Sequence, residues 1–164
     1  MTSEKQTKQS RRKVVIRVVS AKHQTARIQG AIARRAFLYA GDRNLGHELD
    51  NWRLAKSELV KPVRCGEMIR DDAILIGIDT GQFAEGTMEV WVSPRHVTIS
   101  GISRDSLMGV VVKAGSQERG TRVFHSLDMA VDIDPSAATA EFNGTILELC
   151  FPKAHGQESE RRAS

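Results

Sequence analysis

The segment that most constrains the fold is residues 140–153, AEFNGTILELCFPK. At its centre, Asn143 and Gly144 form the strongest short-range signal for a β-hairpin, because both residues tolerate the positive φ of a type I′ turn. Strands are expected on either side, at residues 140–142 and 146–151. Pro152 should end the second strand, since proline has no N–H to donate to a neighbour. The sequence therefore predicts an antiparallel hairpin with Asn143 and Gly144 at its turn.

Alternation of apolar and polar side chains predicts more strands before this hairpin. Residues 88–93 alternate in this way, and Trp91 falls on the face opposite the apolar one. Further strands are expected at residues 73–79, 96–102 and 121–128. Many short strands separated by turns are typical of an antiparallel sandwich, which we expect at residues 62–153.

The hydrophobic period is that of a helix between residues 25 and 61. Apolar side chains recur there every three or four residues, as on helices with one buried face. They are Ile28, Ala31, Ile32, Ala36 and Tyr39 in the first helix and Leu49, Trp52, Ala55 and Leu59 in the second. We expect Gly41 to end the first helix and Pro62 to stop the second. The short connection predicts an αα-hairpin with Trp52 as its central packing residue.

The net charge of +4 conceals an asymmetry. Residues 1–35 carry ten Lys/Arg against one acid, whereas the remainder carries fourteen against nineteen. We expect residues 1–24 to form a basic, mostly disordered arm and residues 154–164 a polar disordered tail. The arm has no interleaved aromatic residues for stacking on bases, so its expected state is a solvated tail and a nucleic-acid partner is not expected.

Composition also bears on the compartment. No apolar run approaches the roughly 20 residues of a membrane-spanning helix, so no membrane partner is expected. The first residues are polar and basic, which does not support secretion. The two cysteines, Cys65 and Cys150, fit a reducing cytoplasm better than a disulfide framework. The expected location is the cytoplasm.

The sequence offers no pattern for catalysis. Its histidines are scattered, without the spacing of metal ligands, at His23, His47, His96, His125 and His155. Cys65 has no His or Asp motif that would mark it as a nucleophile, and Cys150 lies in a predicted strand. Glycines occur singly, so no phosphate-binding loop is indicated. We expect no catalytic residue, no metal, no cofactor and no enzymatic activity.

Five motifs in a fixed order resemble the α-crystallin domain, the core of the small heat-shock proteins. They are Arg70-Asp71-Asp72-Ala73, VSPRHVTISG at residues 92–101, Phe124-His125-Ser126, Ile133-Asp134-Pro135, and the Asn-Gly hairpin with Pro152-Lys153. The resemblance covers residues 63–153 and implies a mainly β fold, an antiparallel immunoglobulin-like β-sandwich of the α-crystallin type with an N-terminal αα-hairpin. Two Leu-Pro elements of the family are absent here, so the likeness is to a divergent member. The helical segment, residues 25–61, resembles a short bacterial domain of unknown function.

A sandwich of this family has a groove between its edge strands, here residues 88–93 and 146–151, in which a client or partner would bind. The candidates to line it are Val90, Val92, Ile146, Leu147 and Leu149. An alternative stays open, in which these side chains fill the core. For half of them the alternative must hold, since successive residues of a strand face opposite ways.

Two further segments are candidates for self-association. Bacterial-type members of the family lend a strand from a long loop to a partner's sheet, and the candidates here are Leu107, Met108, Val110, Val111 and Val112. A loop folded on its own subunit is the alternative. The tail after Lys153 lacks the Ile-x-Ile clip of many family members. Ile16 and Val18 could supply such a clip from the other end, or could belong to a simple local strand.

The resemblance implies an ATP-independent holdase, which binds exposed hydrophobic segments of unfolding proteins and self-associates as a dimer or larger assembly. The alternative is an interaction or adaptor module that uses the sandwich for one folded partner and the helical hairpin for another.

Overall fold

The computed structural model describes residues 14–43, 48–107 and 120–154. Three α-helices are present in these ranges: α1 (Ala21–Arg43), α2 (Glu48–Leu59) and α3 (Arg104–Leu107). The strands are β1 (Val15–Val18), β2 (Cys65–Ile69), β3 (Ala73–Asp79), β4 (Glu89–Val92), β5 (His96–Ile102), β6 (Arg122–Asp128), β7 (Thr139–Asn143) and β8 (Ile146–Pro152). The arm and tail expected from the sequence lie mostly outside the described residues.

The strands form two four-stranded sheets that pack face to face. Sheet I has the order β1-β4-β5-β6, and sheet II has the order β2-β3-β8-β7. Neighbouring strands are antiparallel except for β1 and β4, which are parallel. The β-sandwich expected from the alternating segments is therefore confirmed, with β1 as an additional strand.

The inward faces of both sheets supply one hydrophobic core. It consists mainly of β-branched side chains and leucines, including Ile74, Ile76, Ile78, Val90, Val92, Val97, Ile99, Leu147 and Leu149. The final hairpin has the predicted turn: Asn143 is paired with Ile146, and Gly144 has a φ of 64°, which glycine adopts without strain. These local signals place β7 and β8 in register in sheet II.

The two helices form the predicted antiparallel hairpin, with two differences. The first helix begins at Ala21 and runs to Arg43, so Gly41 lies inside it instead of ending it. Trp52 is only partly buried, whereas Ile32 and Ala55 are fully buried. The reason is that the hairpin packs against the outer face of sheet I, where Trp91 and Phe124 join the same cluster.

The helical hairpin and the sandwich therefore share an interface. Trp91 turns away from the sandwich core, as its position in the alternation predicts, and is buried beneath the helices. The guanidinium of Arg27 lies over its ring, at 5.1 Å from the ring centre. None of the described helices is long and apolar enough to cross a membrane.

Candidate functional site at the sheet edges

Four of the five predicted groove residues lie in the sandwich core. Val90, Val92, Leu147 and Leu149 are fully buried between the sheets, which corrects the expectation that they line an open groove. Ile146 differs, because it is on the outer face of sheet II and is 38% exposed. Alternation therefore places the buried four on the inward faces.

The edge on which that groove would open is covered by β1. Ile16 is paired with Val90 and Val18 with Val92 in parallel register. Backbone hydrogen bonds run from Val15 N to Met88 O at 3.3 Å and from Val19 N to Val92 O at 3.0 Å. The chain's own N-terminal segment thus completes sheet I at its β4 edge.

The two predicted clip residues have different environments in β1. Ile16 is partly buried and packs against the sandwich core, whereas Val18 is 66% exposed. Alternation puts both side chains on the same face of sheet I, but only Ile16 reaches the core. Within this chain the segment forms a local strand, which is the alternative to a clip that docks on a neighbour.

β1 is weakly attached compared with the other strands of sheet I. It has four residues, none of them fully buried, and its Arg17–Glu89 ion pair is 4.0 Å long and solvent-exposed. Exposed pairs of this kind contribute at most about 1 kcal/mol. Short strands with few buried contacts are the segments that open most readily by local fluctuation.

β2 is an edge strand of sheet II, and in the described part of the chain it is paired on one side only, with β3. All five of its residues are exposed, including Met68 at 56% and Ile69 at 58%. An edge strand presents a row of unpaired N–H and C=O groups to which another chain can pair.

The candidate dimer strand is mostly beyond what the structure describes. Leu107 is the last residue of α3. Met108, Val110, Val111 and Val112 lie outside the described residues. The expectation that this segment is lent to a second copy stays a prediction.

Charged and polar groups cluster at two places away from the sheet edges. Between α1 and α2, Arg35 Nε donates to Tyr39 Oη and to Glu58 Oε2, and the Tyr39 hydroxyl donates to the same carboxylate. The hydrogen bond with Tyr39 raises the pKa of Arg35, and burial raises the pKa of Tyr39. This cluster fastens the two helices to each other.

The second place is His125 in β6, beside the end of α2. Burial lowers the pKa of His125, and a hydrogen bond to the backbone of Lys61 partly opposes that shift. His125 Nε2 is buried and has no hydrogen-bond partner in the described structure. A neutral imidazole suits this position, because a charged one would be desolvated.

The described residues contain no group of three or more His, Cys, Asp or Glu side chains placed to hold a metal ion. Cys65 and Cys150 are both free thiols. The features that distinguish the molecule are therefore its sheet edges and outer faces. None of them brings acid, base and nucleophile together in the described part of the chain.

Comparisons with known proteins find matches among solved structures. No protein-family model matches the chain, and no curated protein matches it. Heat shock protein 16.0 from Schizosaccharomyces pombe is 16% identical, with a TM-score of 0.44 over 57% of this chain and 88% of that one. hspA from Xanthomonas axonopodis is 17% identical, with a TM-score of 0.43 over 57% of this chain and 93% of that one. Stress-induced protein 1 from Caenorhabditis elegans is 12% identical, with a TM-score of 0.41 over 76% of this chain and 78% of that one.

The chain is thus similar to solved structures of heat-shock and stress-induced proteins, at low identity. The N-terminal helical hairpin is not identified by these comparisons.

Proposed function

We propose that the protein is an ATP-independent holdase chaperone of the small heat-shock type, which captures exposed hydrophobic segments of unfolding proteins without turnover. The observation that carries the proposal is the edge of β2, which is open in the described structure and displays Met68 and Ile69. Folded proteins ordinarily protect such edges with charge, proline or a covering segment. An open edge with apolar side chains is suited to accept an extended chain.

The chemistry of an open edge matches the task of a holdase. Backbone hydrogen bonds to β2 can form with an extended segment of almost any sequence, because every non-proline residue offers an N–H and a C=O. Apolar side chains of the client would then cover Met68 and Ile69. Burying the exposed half of each side chain contributes about 1 kcal/mol.

The β4 edge offers a second place for capture. β1 covers it with a short, partly exposed strand whose anchor is Ile16. When β1 is released, the backbone of β4 and the apolar side chains behind it become available to an extended client.

We propose that the same protein self-associates, as a dimer or larger assembly, in the cytoplasm. The β2 edge is again the proposed contact, and residues 107–112 of a second copy are the proposed strand, so a client segment and a second copy compete for this edge. Two copies joined in this way each satisfy the open edge of the other.

A second candidate is an adaptor that binds one folded partner. The observation that favours it is that the helical hairpin is fixed to sheet I and exposes three large apolar side chains, Phe37, Leu38 and Leu49. Such side chains are suited to a folded partner with a matching apolar surface.

Light scattering of a heat-labile client, with and without the protein, tests the holdase. Aggregation should fall steeply as the protein approaches an equimolar ratio, and undiminished aggregation at that ratio would contradict the proposal. Size-exclusion chromatography with light scattering separates the candidates, because a fixed monomer or dimer without suppression supports the adaptor.

A further inference from the structure

The outer face of sheet II has a trough of about 630 Å³ that no feature described so far explains. It crosses all four strands and begins at the open edge of β2. Its lining includes Gly66, Met68, Gly77, Ile146, Glu148 and Cys150. The outer face of sheet I differs, because the helical hairpin packs on it.

The floor of the trough is a row of two glycines. Gly66 on β2 is paired with Gly77 on β3, and Gly77 is paired with Glu148 on β8. Neither glycine has a positive φ. A Cβ at Gly66 would meet nothing within 4 Å, and one at Gly77 would meet only Ile146 Cγ2 at an ordinary 3.5 Å.

Backbone conformation and packing therefore do not require glycine at either position. Glycine weakens a strand interior, and where it persists it often marks the close approach of a ligand or another backbone. Departures from local sequence preference without structural compensation are most frequent at functional positions.

The same row ends on two carboxylates. Glu141 on β7 lies directly opposite Glu148 on β8. Like charges in this position destabilise an antiparallel pair. Asn143 Nδ2 donates a long hydrogen bond of 3.5 Å to Glu148 Oε1, and no described ion pair involves either glutamate.

The walls of the row are apolar. On one side lies Ile146, and on the other lie Met68, Leu75 and Cys150, which are paired across the sheet in the next row. The remaining charged residues of the lining are Glu67 and Arg70. Arg70 lies four residues from Gly66 along the chain, about 13 Å at the usual rise of a strand, and so at the far end of the trough.

An apolar-walled channel that ends on carboxylates matches one kind of side chain. Lysine and arginine place a flexible aliphatic stem against apolar surface and extend a cation from its end. A strand added to β2 would lie three strand spacings from β8, about 14 Å. A basic side chain from that strand can cross Gly66 and meet Glu148, whose own side chain extends over Gly77 from the other side.

We propose that this trough binds a lysine or arginine side chain of an extended client segment that pairs with the open edge of β2. The client residues two positions before and two positions after this lysine or arginine would be apolar, because one of them lies beside Met68. The inference rests on the proposed holdase function and names its client class: unfolded segments in which a cationic residue alternates with apolar ones.

Fluorescence anisotropy with two labelled peptides tests this on the full chain. The peptide Thr-Val-Thr-Arg-Thr-Val-Thr places its arginine and valines on one face, and Thr-Val-Thr-Glu-Thr-Val-Thr carries an acid instead. The arginine peptide should bind at least about tenfold more tightly at low salt, because like-charge contacts disfavour the acidic one. Equal affinities would overturn the proposal.

Matched variants locate the binding. The double substitution Glu141→Gln and Glu148→Gln should abolish the preference for arginine, whereas Glu85→Gln, which removes an exposed acid outside the row, should keep it. Gly66→Val should weaken the arginine peptide about tenfold by filling the channel. In a Cys65→Ser background, the arginine peptide should slow alkylation of Cys150, and unchanged alkylation would contradict binding in the trough.

Two further outcomes separate this inference from its premise. Light scattering on the same preparations shows whether the protein suppresses aggregation. If aggregation is suppressed but the two peptides bind equally well, only the proposed binding in the trough is overturned. If aggregation is not suppressed, the proposed holdase function is overturned. Arginine-peptide binding that appears only after removal of residues 1–13 would assign the trough to the chain's own basic arm and overturn the client proposal.

Discussion

Thr98 Oγ1 donates a 2.6 Å hydrogen bond to Oε1 of Gln24, which lies 74 residues earlier in the chain. The amide of Gln24 also donates through Nε2 to the carbonyl oxygens of Val19, at 2.8 Å, and His96, at 3.1 Å. Gln24 is fully buried, and its bond with Thr98 forms away from water. One side chain of α1 thereby joins β5 and the residue that follows β1 to the helical hairpin.

Replacing Gln24 with alanine should destabilise the whole protein. The change removes all three hydrogen bonds of this side chain, which lowers the free energy of unfolding by about 2 kcal/mol even though Thr98 Oγ1 keeps its contact with Ser126 and His96 O keeps its bonds from Ser93. Urea denaturation followed by circular dichroism measures this. Gln29→Ala, an exposed glutamine on the same helix, is the matched control and should change the free energy by less than about 0.5 kcal/mol. Equal effects of the two substitutions would contradict the role assigned to Gln24.

Shortening Ile16 should loosen β1 and little else. Ile16→Ala removes the anchor that packs on the core, at a cost of about 1 kcal/mol for a partly buried site. Hydrogen exchange of the Val19 amide, which donates to Val92 O, should accelerate. Aggregation suppression should rise at the same time, because the β4 edge is open more often. Val18→Ala, at an exposed position of the same strand, should change neither measurement, and if it matches Ile16→Ala the β4 edge has no part in capture.

The stability of the protein should depend on His125 as the pH falls. Because the pKa of His125 is lowered in the folded state, the unfolded chain binds this proton at a higher pH than the folded one does. The free energy of unfolding therefore falls as the pH drops below the ordinary value of 6.5 and levels off below the folded-state pKa. His125→Gln should flatten this slope, and Ser126→Ala on the same strand should leave it intact. An unchanged slope in His125→Gln would show that other groups cause the pH dependence.

Filling the glycine row should stabilise the fold while it weakens peptide binding. Gly66→Val and Gly77→Ala should each raise the free energy of unfolding by about 0.5–1 kcal/mol, since glycine loses the most conformational entropy in a strand. Thermal and urea unfolding measure the gain. A loss of stability in both variants would mean that packing requires these glycines, contrary to their open surroundings. Gly144→Ala is the contrasting control, because its positive φ makes any side chain there destabilising.

The features that could be predicted from the sequence are those that depend on neighbours in the chain. Asn143 and Gly144 specify their turn by their own backbone preferences, and alternation assigns Trp91 to the face opposite Val90 and Val92. Such local rules fix the strands of the sandwich and the presence of two helices. The prediction that Gly41 ends the first helix was wrong because it used a local rule alone. A helix can continue past a glycine when packing stabilises it.

What could not be predicted depends on contacts between distant segments. Alternation puts Val90 and Val92 on the face opposite Trp91, but it does not show that β1 covers the β4 edge, so the open groove expected at these two residues is not found in the described structure. The parallel pairing of Ile16 with Val90 joins residues 74 positions apart and leaves no local signal. The row formed by Gly66, Gly77 and Glu148 exists only in the register of three strands, although isolated glycines within strand-like segments are a hint that sequence reading can use.

Because α1 and α2 cover the outer face of sheet I, the two outer faces of the sandwich differ. A body of this shape can meet its own copies along its strand edges or through the outer face of sheet II. A face-to-face contact closes as a pair, whereas edge contacts close into rings or continue as filaments according to the rotation between copies. Stacking copies face on face into an endless column would need two uncovered faces on every copy. The helical hairpin thereby limits how the protein can grow, before any affinity between copies is considered.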